Sequence, residues 1–191
     1  MVHQLLTPTQ EIRTDRLLLR PVTPSEIDDV HGVFSDPRTW SHLPSGRHLV
    51  RSSTVDLVQR KIGGRARHGL ASWAVRVAAD GSFVGLGGVD MTAAGVWNLG
   101  YRLAPDVWGR GFATEIARAA VEAAAQIAPG VAVTGRVLTS NPASAAVLAK
   151  AGLSLVWQGS TATPLPAGVE RQVWSDRALS GAERAWLVAN A

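Results

Sequence analysis

No cysteine occurs in the 191 residues, which excludes a disulfide framework, a zinc-thiolate centre and a thiol nucleophile together. Tyrosine occurs once, and only Lys61 and Lys150 are lysines among 19 basic residues. With so little titrating in the alkaline range, the sequence pI of about 10.6 overstates the basicity. The formal net charge is only +4. The arginines are scattered, and the densest basic group, Arg60, Lys61, Arg65 and Arg67, has the spacing of a solvated helix face rather than of a phosphate-tracking stripe. No recognition motif for DNA or RNA is present, so nucleic acid is not expected as a partner. Nor is there a run approaching the ~20 apolar residues of a membrane span; Glu122 and Gln126 interrupt the alanine-rich segment 117–128. Met1 to Asp15 mixes Gln, Thr, Pro and acidic residues where a signal peptide needs a basic start and an apolar stretch. These absences lead to the expectation of a soluble, cytoplasmic chain without a membrane partner.

What remains is a globular composition, 46% hydrophobic and 18% charged. At roughly 150 residues per domain the length favours a single domain spanning 1–191. Arg16 to Val22 reads as a strand, and Thr23-Pro24-Ser25-Glu26 as a capped helix start leading to Ile27, Val30, Val33 and Phe34 on one face. Asp36-Pro37 ends that helix, and the loop to Leu49 is rich in rings and turn formers. A second helix is predicted over about 54–68, stopped by Gly69 and weakened by Gly63-Gly64. Trp73–Val77 and Phe83–Leu86 flank Asp80-Gly81, a dipeptide that favours a tight hairpin. Val96–Leu103 adds a third strand. Helices near 111–127 and 142–151 then alternate with strands near 131–137, 153–157 and 171–174, and Ser180-Gly181-Ala182-Glu183 is a capping box for a short final helix. The fold class is therefore α/β or α+β around a largely antiparallel sheet.

The most informative segment runs from Tyr101 to Glu115 and joins a strand to a long helix. Gly109, Arg110 and Gly111 at a helix start expose successive main-chain N–H groups, which the helix dipole and Arg110 would reinforce as a pyrophosphate cradle. The same glycines also suit a purely structural turn. The loop is neither a P-loop nor a complete dinucleotide fingerprint.

Asn141-Pro142-Ala143-Ser144 opens the next helix, which continues as Val147-Leu148-Ala149-Lys150-Ala151-Gly152-Leu153. Together with the glycine loop, with Thr14-Asp15-Arg16-Leu17-Leu18-Leu19-Arg20-Pro21 and with Phe34-Ser35-Asp36-Pro37, this resembles the GNAT N-acetyltransferase superfamily, in particular its ribosomal-protein N-terminal acetyltransferase (RimJ/RimL-type) branch. The resemblance covers about residues 12–175, in collinear order, and leaves a short C-terminal helical tail. It implies a mostly antiparallel mixed sheet, splayed between its fourth and fifth strands and flanked by helices, with acetyl-CoA as co-substrate and no metal. Trp108, Gly109, Arg110, Gly111, Phe112, Ala113 and Thr114 would hold the pyrophosphate. The strand edge at Arg102 and Leu103 would pair with pantetheine, Asn141 would bind that arm or cap its helix, and Ser144 would sit near the sulfur. Trp108 stands where the family usually has Gln or Arg; an indole donates one hydrogen bond and no charge, so a slightly weaker or differently shaped phosphate grip is expected.

The implied reaction is acetyl transfer to a primary amine, either a peptide or protein N-terminus or a small amine, by direct attack in a ternary complex. A binding protein that keeps acyl-CoA without chemistry is the alternative. A main-chain N–H around Leu103 would stabilise the oxyanion, and Ser144 would protonate the thiolate or else support its helix start. Asn98 falls where relatives often carry a Glu base, and an amide could only position water or the amine. Leu148 replaces the family's other usual acid, a Tyr. Asp90, His31, His42 and His48 are the remaining candidate relays, ordered water being the other route. Trp40, in a loop that overhangs the acceptor end in this family, and Trp97 are the candidate acceptor-binding walls; Trp73 and Trp97 also lie on strands whose apolar faces need cover. A monomer or homodimer is expected.

Overall fold

The computed structural model describes residues 11–41, 43–160 and 165–190. The N-terminal stretch before residue 11 and His42, one of the candidate relays, lie outside them. A two-residue strand β1 (Ile12–Arg13) precedes β2 (Leu17–Pro21), α1 (Ile27–Ser35) and α2 (Arg51–His68). Three strands follow, β3 (Trp73–Val77), β4 (Phe83–Met91) and β5 (Trp97–Leu103), then α3 (Phe112–Ile127), β6 (Val133–Leu138) and α4 (Pro142–Lys150). The chain closes with β7 (Ser154–Gly159), β8 (Arg171–Ser175) and α5 (Gly181–Ala189).

Local chemistry accounts for most boundaries. The Thr23 N–H donates to Glu26 Oε2 at 2.9 Å, completing the capping box, but the first turn, Pro24–Glu26, is 3₁₀ and the α-helix begins at Ile27. Gly63-Gly64 does not break α2, which ends where Gly69 takes φ +77° and its N–H reaches Arg65 O at 2.8 Å. The hairpin at Asp80-Gly81 is looser than the dipeptide implied. Val77 N–H donates to Ser82 O, and Asp80 Oδ1 accepts from both Ser82 N–H and its hydroxyl, so four residues make the turn. Ser180 and Glu183 complete the second capping box.

All eight strands form one sheet in the order β1-β2-β3-β4-β5-β6-β8-β7. Every pairing is antiparallel except β5 with β6, which pair in parallel only at Trp97↔Val133 and Asn98↔Thr134. Beyond Asn98 the two strands diverge and the sheet opens. With the short β1 counted, this is the splay expected between the fourth and fifth strands.

One face of the sheet packs Leu17, Leu19, Trp73, Val89, Trp97, Leu99 and Leu103 against α3 through Phe112, Ile116 and Ala120. The other packs Val22, Ala74 and Leu86 against α1 and α2 through Val30, Val33 and Val58. The two-residue period of the strands allots alternate side chains to these two clusters. α4 lies close on β6 because Gly135 offers no side chain: a Cβ there would stand 2.6 Å from Leu148 Cδ2. That approach brings the start of α4 to the mouth of the split.

Candidate active site

After β5 the chain passes through a 3₁₀ turn, Pro105–Val107, into Trp108-Gly109-Arg110-Gly111 and then α3. Gly109 and Gly111 take φ of +75° and +82°, a region that costs a side-chain-bearing residue about 1–2 kcal/mol. The first N–H groups of α3 have no partner within the helix, and Gly111 to Thr114, which carry them, line the opening. Arg16 fastens the loop from behind: its Nη1 donates to Arg110 O at 2.8 Å, and its Nε donates to Glu115 Oε2 at 2.8 Å. Glu115 also accepts from Arg16 N–H at 2.9 Å and from the Thr14 hydroxyl at 2.5 Å. Burial alone would raise the Glu115 pKa, but these donors and the Arg16 charge hold it below the ordinary glutamate range.

A depressed carboxylate pKa contributes stability that is complete above the ordinary glutamate range and disappears as pH falls through the native value. Glu115→Gln is therefore expected to cost about 1 kcal/mol near neutrality, the half-exposed Arg16 screening part of the pair. The gap between variant and parent should close below the ordinary glutamate range. Urea titrations at several pH values check this; a gap that does not change with pH would contradict it.

A cavity of about 670 Å³ occupies the β5–β6 opening. Leu99 to Leu103 and the loop residues Trp108, Gly109 and Gly111 to Thr114 line one side; Arg136 to Leu138, Asn141, Ser144 and Leu148 line the other. Because Trp97 turns its N–H to Ala132 O across the β5–β6 pairing, strand alternation turns the main-chain groups of Tyr101 and Leu103 to the same side. Those of Arg102 face β4, opposite Leu86. The edge available to an extended ligand therefore belongs to Tyr101 and Leu103, not to Arg102.

Trp108 departs from its expected part. Its indole N–H donates to Leu103 O at 2.9 Å, so the ring closes the loop onto β5 and has no donor left for a phosphate. Arg110 lies outside the cavity, its guanidinium 4.6 Å from the Phe112 ring centre. Asn141 takes the capping alternative, its Oδ1 accepting from Ser144 N–H at 3.1 Å. The Ser144 hydroxyl then meets the Tyr101 hydroxyl at 2.8 Å, the two oxygens facing each other across the split. Burial pushes the Tyr101 pKa above the usual tyrosine value, more than the Ser144 hydrogen bond pulls it down. Tyr101 therefore stays protonated through the neutral range.

The acceptor-side expectations change most. Trp97 is 0% exposed in the core beneath α3, because its strand position faces that helix, and it does not line the cavity. Trp40 is also buried. Its indole N–H donates to Phe34 O at 2.7 Å, and it reaches the cavity only through Arg102, whose guanidinium lies 3.6 Å from the ring centre. Arg102 also donates to Thr39 O, and burial pushes its pKa down to about 10. Asn98 lines the cavity, with its Oδ1 accepting from Arg136 Nε at 3.2 Å.

The other candidate relays lie elsewhere. His31 Nδ1 and His48 Nδ1 both sit by the Thr54 hydroxyl, at 2.9 and 2.8 Å, and Asp90 is bound by Lys61 and Ser72. Among the described residues that line the cavity there is no His, Asp or Glu. Tyr101, Arg136 and Arg171 are cavity residues that sequence reasoning missed. Only Tyr101 carried a usable signal: it is the sole tyrosine, in the strand just before the glycine loop.

One parallel pair splayed within an antiparallel sheet, with a glycine-entered helix on one side of the split, is the architecture of the acetyl-CoA-dependent acetyltransferases. Residues 16–154 match the acetyltransferase (GNAT) domain family, and the chain belongs to that family. Solved structures share the fold at low identity. A GNAT-family acetyltransferase described as putative, from Bordetella pertussis, superposes with a TM-score of 0.74 at 16% identity, over 88% of this chain and 99% of its own. The acetyltransferase from Agrobacterium tumefaciens strain C58 gives 0.72 at 22%, over 91% and 97%. RimL, a ribosomal L7/L12 alpha-N-protein acetyltransferase in complex with coenzyme A, gives 0.69 at 18%, over 86% and 97%. Among the described residues no helix is long and apolar enough to cross a membrane.

Proposed function

We propose that the protein, acting as a single domain, transfers acetyl from acetyl-CoA to a primary amine by direct attack in a ternary complex. The observation that carries this reading is the Tyr101–Ser144 hydroxyl pair at the mouth of a cavity whose other end is the glycine-entered start of α3. The N–H groups from Gly109 to Thr114 would hold the diphosphate, and open space at Gly109, where a Cβ would meet nothing within 4 Å, leaves room for its close approach. Pantetheine would add to the edge of Tyr101 and Leu103 as a partial strand, its bond to Leu103 made through the N–H because Trp108 holds the carbonyl.

The amine nitrogen attacks the thioester carbonyl carbon and the C–S bond breaks. The Tyr101 N–H, fixed by the strand and left free by pantetheine, receives the developing oxyanion. The thiolate takes its proton from Ser144 or Tyr101, whichever hydroxyl donates outward. The amine proton leaves through water, since the described lining holds no base, and most of the rate then comes from holding the reactants in register. Asn98, held by Arg136, positions that water or the amine.

Thiol release from acetyl-CoA with a panel of amines and peptides tests this. Amine-dependent release is expected. Coenzyme A binding without release on any amine would leave only the binding-protein reading.

A further inference from the structure

The sheet face opposite α3 and α4, from which the amine would enter in the proposed reaction, has a consistent electrostatic character. Trp97, Leu99 and Leu103 of β5, with Val133 and Val137 of β6, belong to the core under α3, so Asn98, Arg102 and Arg136 point the other way. The β6–β8 register, Arg136↔Val173 and Leu138↔Arg171, puts Arg171 on the same face as Arg136, one pleat along. All four residues line the cavity, together with Arg38, and no described lining residue is Asp or Glu.

The arginines are not equivalent. Arg38 is paired with Asp36, and Arg102 is engaged by Trp40 and Thr39 O. Arg136 has only neutral acceptors among the described residues, Asn98 Oδ1 and Asn190 O. Arg171 Nε is buried and has no hydrogen-bond partner among the described residues. Burial pushes both guanidinium pKa values down, and for Arg136 the neighbouring Arg171 charge adds to the effect. Among the described residues neither guanidinium has a counter-charge; two partly buried like charges so placed are costly, and an anion between them offsets that cost.

We infer that the acceptor is an amine bearing a carboxylate, which Arg136 and Arg171 bind while the nitrogen faces the Tyr101–Ser144 end of the cavity. The planar guanidinium matches a carboxylate in shape as well as charge, whereas a polyamine would place cation against cation. This rests on the acetyl-transfer reading and narrows its acceptor. The carboxylate belongs either to a free amino acid or to an acidic residue at a peptide N-terminus.

Thiol release measured on matched pairs separates these two: L-alanine against L-alaninamide, and Asp-Ala-Ala-amide against Asn-Ala-Ala-amide, with 1,4-diaminobutane as the cationic acceptor. In one pair the carboxylate member should exceed its amide in kcat/KM by about ten-fold or more, and the diamine should be poorest. Arg171→Gln and Arg136→Gln should bring that ratio towards one through a raised KM, with Arg171→Lys retaining part of it. Arg171→Gln carries the test should Arg136→Gln fail to fold, because Arg171 Nε has no partner to lose among the described residues. Ratios near one in both pairs, or a preference that survives both Gln variants, overturn the inference and leave acetyl transfer standing. Binding of coenzyme A without release on any amine overturns both.

Discussion

Tyr101→Phe and Ser144→Ala should each lower kcat by about a hundred-fold, with coenzyme A affinity changed little, because a positioned proton donor contributes roughly that much to a transfer step. The pair touches at 2.8 Å across the split, so neither hydroxyl acts alone. Removing one leaves the other without its partner, and the double variant should fall little below the worse single one. Independent, multiplying losses would show that the two hydroxyls do not share one proton path. Since burial holds the Tyr101 pKa above the usual tyrosine value, its proton is not lost anywhere in the neutral range. The alkaline limb of kcat should therefore lie above the ordinary tyrosine pKa in the parent. A limb near pH 7 would assign the acid to another group.

Gly111→Val should weaken coenzyme A binding by more than about ten-fold, since the N–H groups it misplaces are the hydrogen-bond donors assigned to the diphosphate. Two costs act at that position. Its φ of +82° is a region β-branched residues rarely enter, and a Cβ there would lie 3.4 Å from Arg16 Nη2, the side chain that fastens the loop to β2. Gly111→Ala, with the same backbone penalty and less bulk, should show a smaller loss. Calorimetric titration with coenzyme A reads both variants, and thermal melting separates a loosened loop from an unfolded chain. Unchanged affinity in Gly111→Val would mean that the diphosphate is held elsewhere.

The scaffold was legible in the sequence where local chemistry decides structure. The capping boxes at Thr23 and Ser180, the stop at Gly69 and the helix entered at Gly111 are short-range devices, and each appears where its residues stand. β1 was not legible, because two residues are too few to show a period. The site was readable only in part. Asn141, Ser144 and the glycine loop lie within motifs, whereas Arg136 and Arg171 reach the cavity through the β6–β8 register, a pairing across about 35 residues that no local pattern announces.

The tryptophans show the other limit. Trp97 and Trp40 are large and amphipathic, and nothing in their neighbours tells a wall of the acceptor site from core. The core claims both: Trp97 falls on the α3 side of β5, and Trp40 finds Phe34 O for its indole N–H. Trp40 serves the site at one remove, as the surface on which Arg102 lies. Trp108 likewise trades a phosphate contact for the Leu103 carbonyl.

The measurement that bears most directly on the whole account is a crystal structure with coenzyme A bound. The diphosphate should lie on the main-chain N–H groups between Gly109 and Thr114, pantetheine along Tyr101 and Leu103, and the thiol beside Ser144 and Tyr101. A second groove, of about 810 Å³, runs along α3 between Arg13, Arg16, Arg118 and Lys150, with Asp15, Glu115 and Glu122 offsetting most of that charge. A diphosphate lying there, with the β5–β6 opening closed by side chains, would contradict the account.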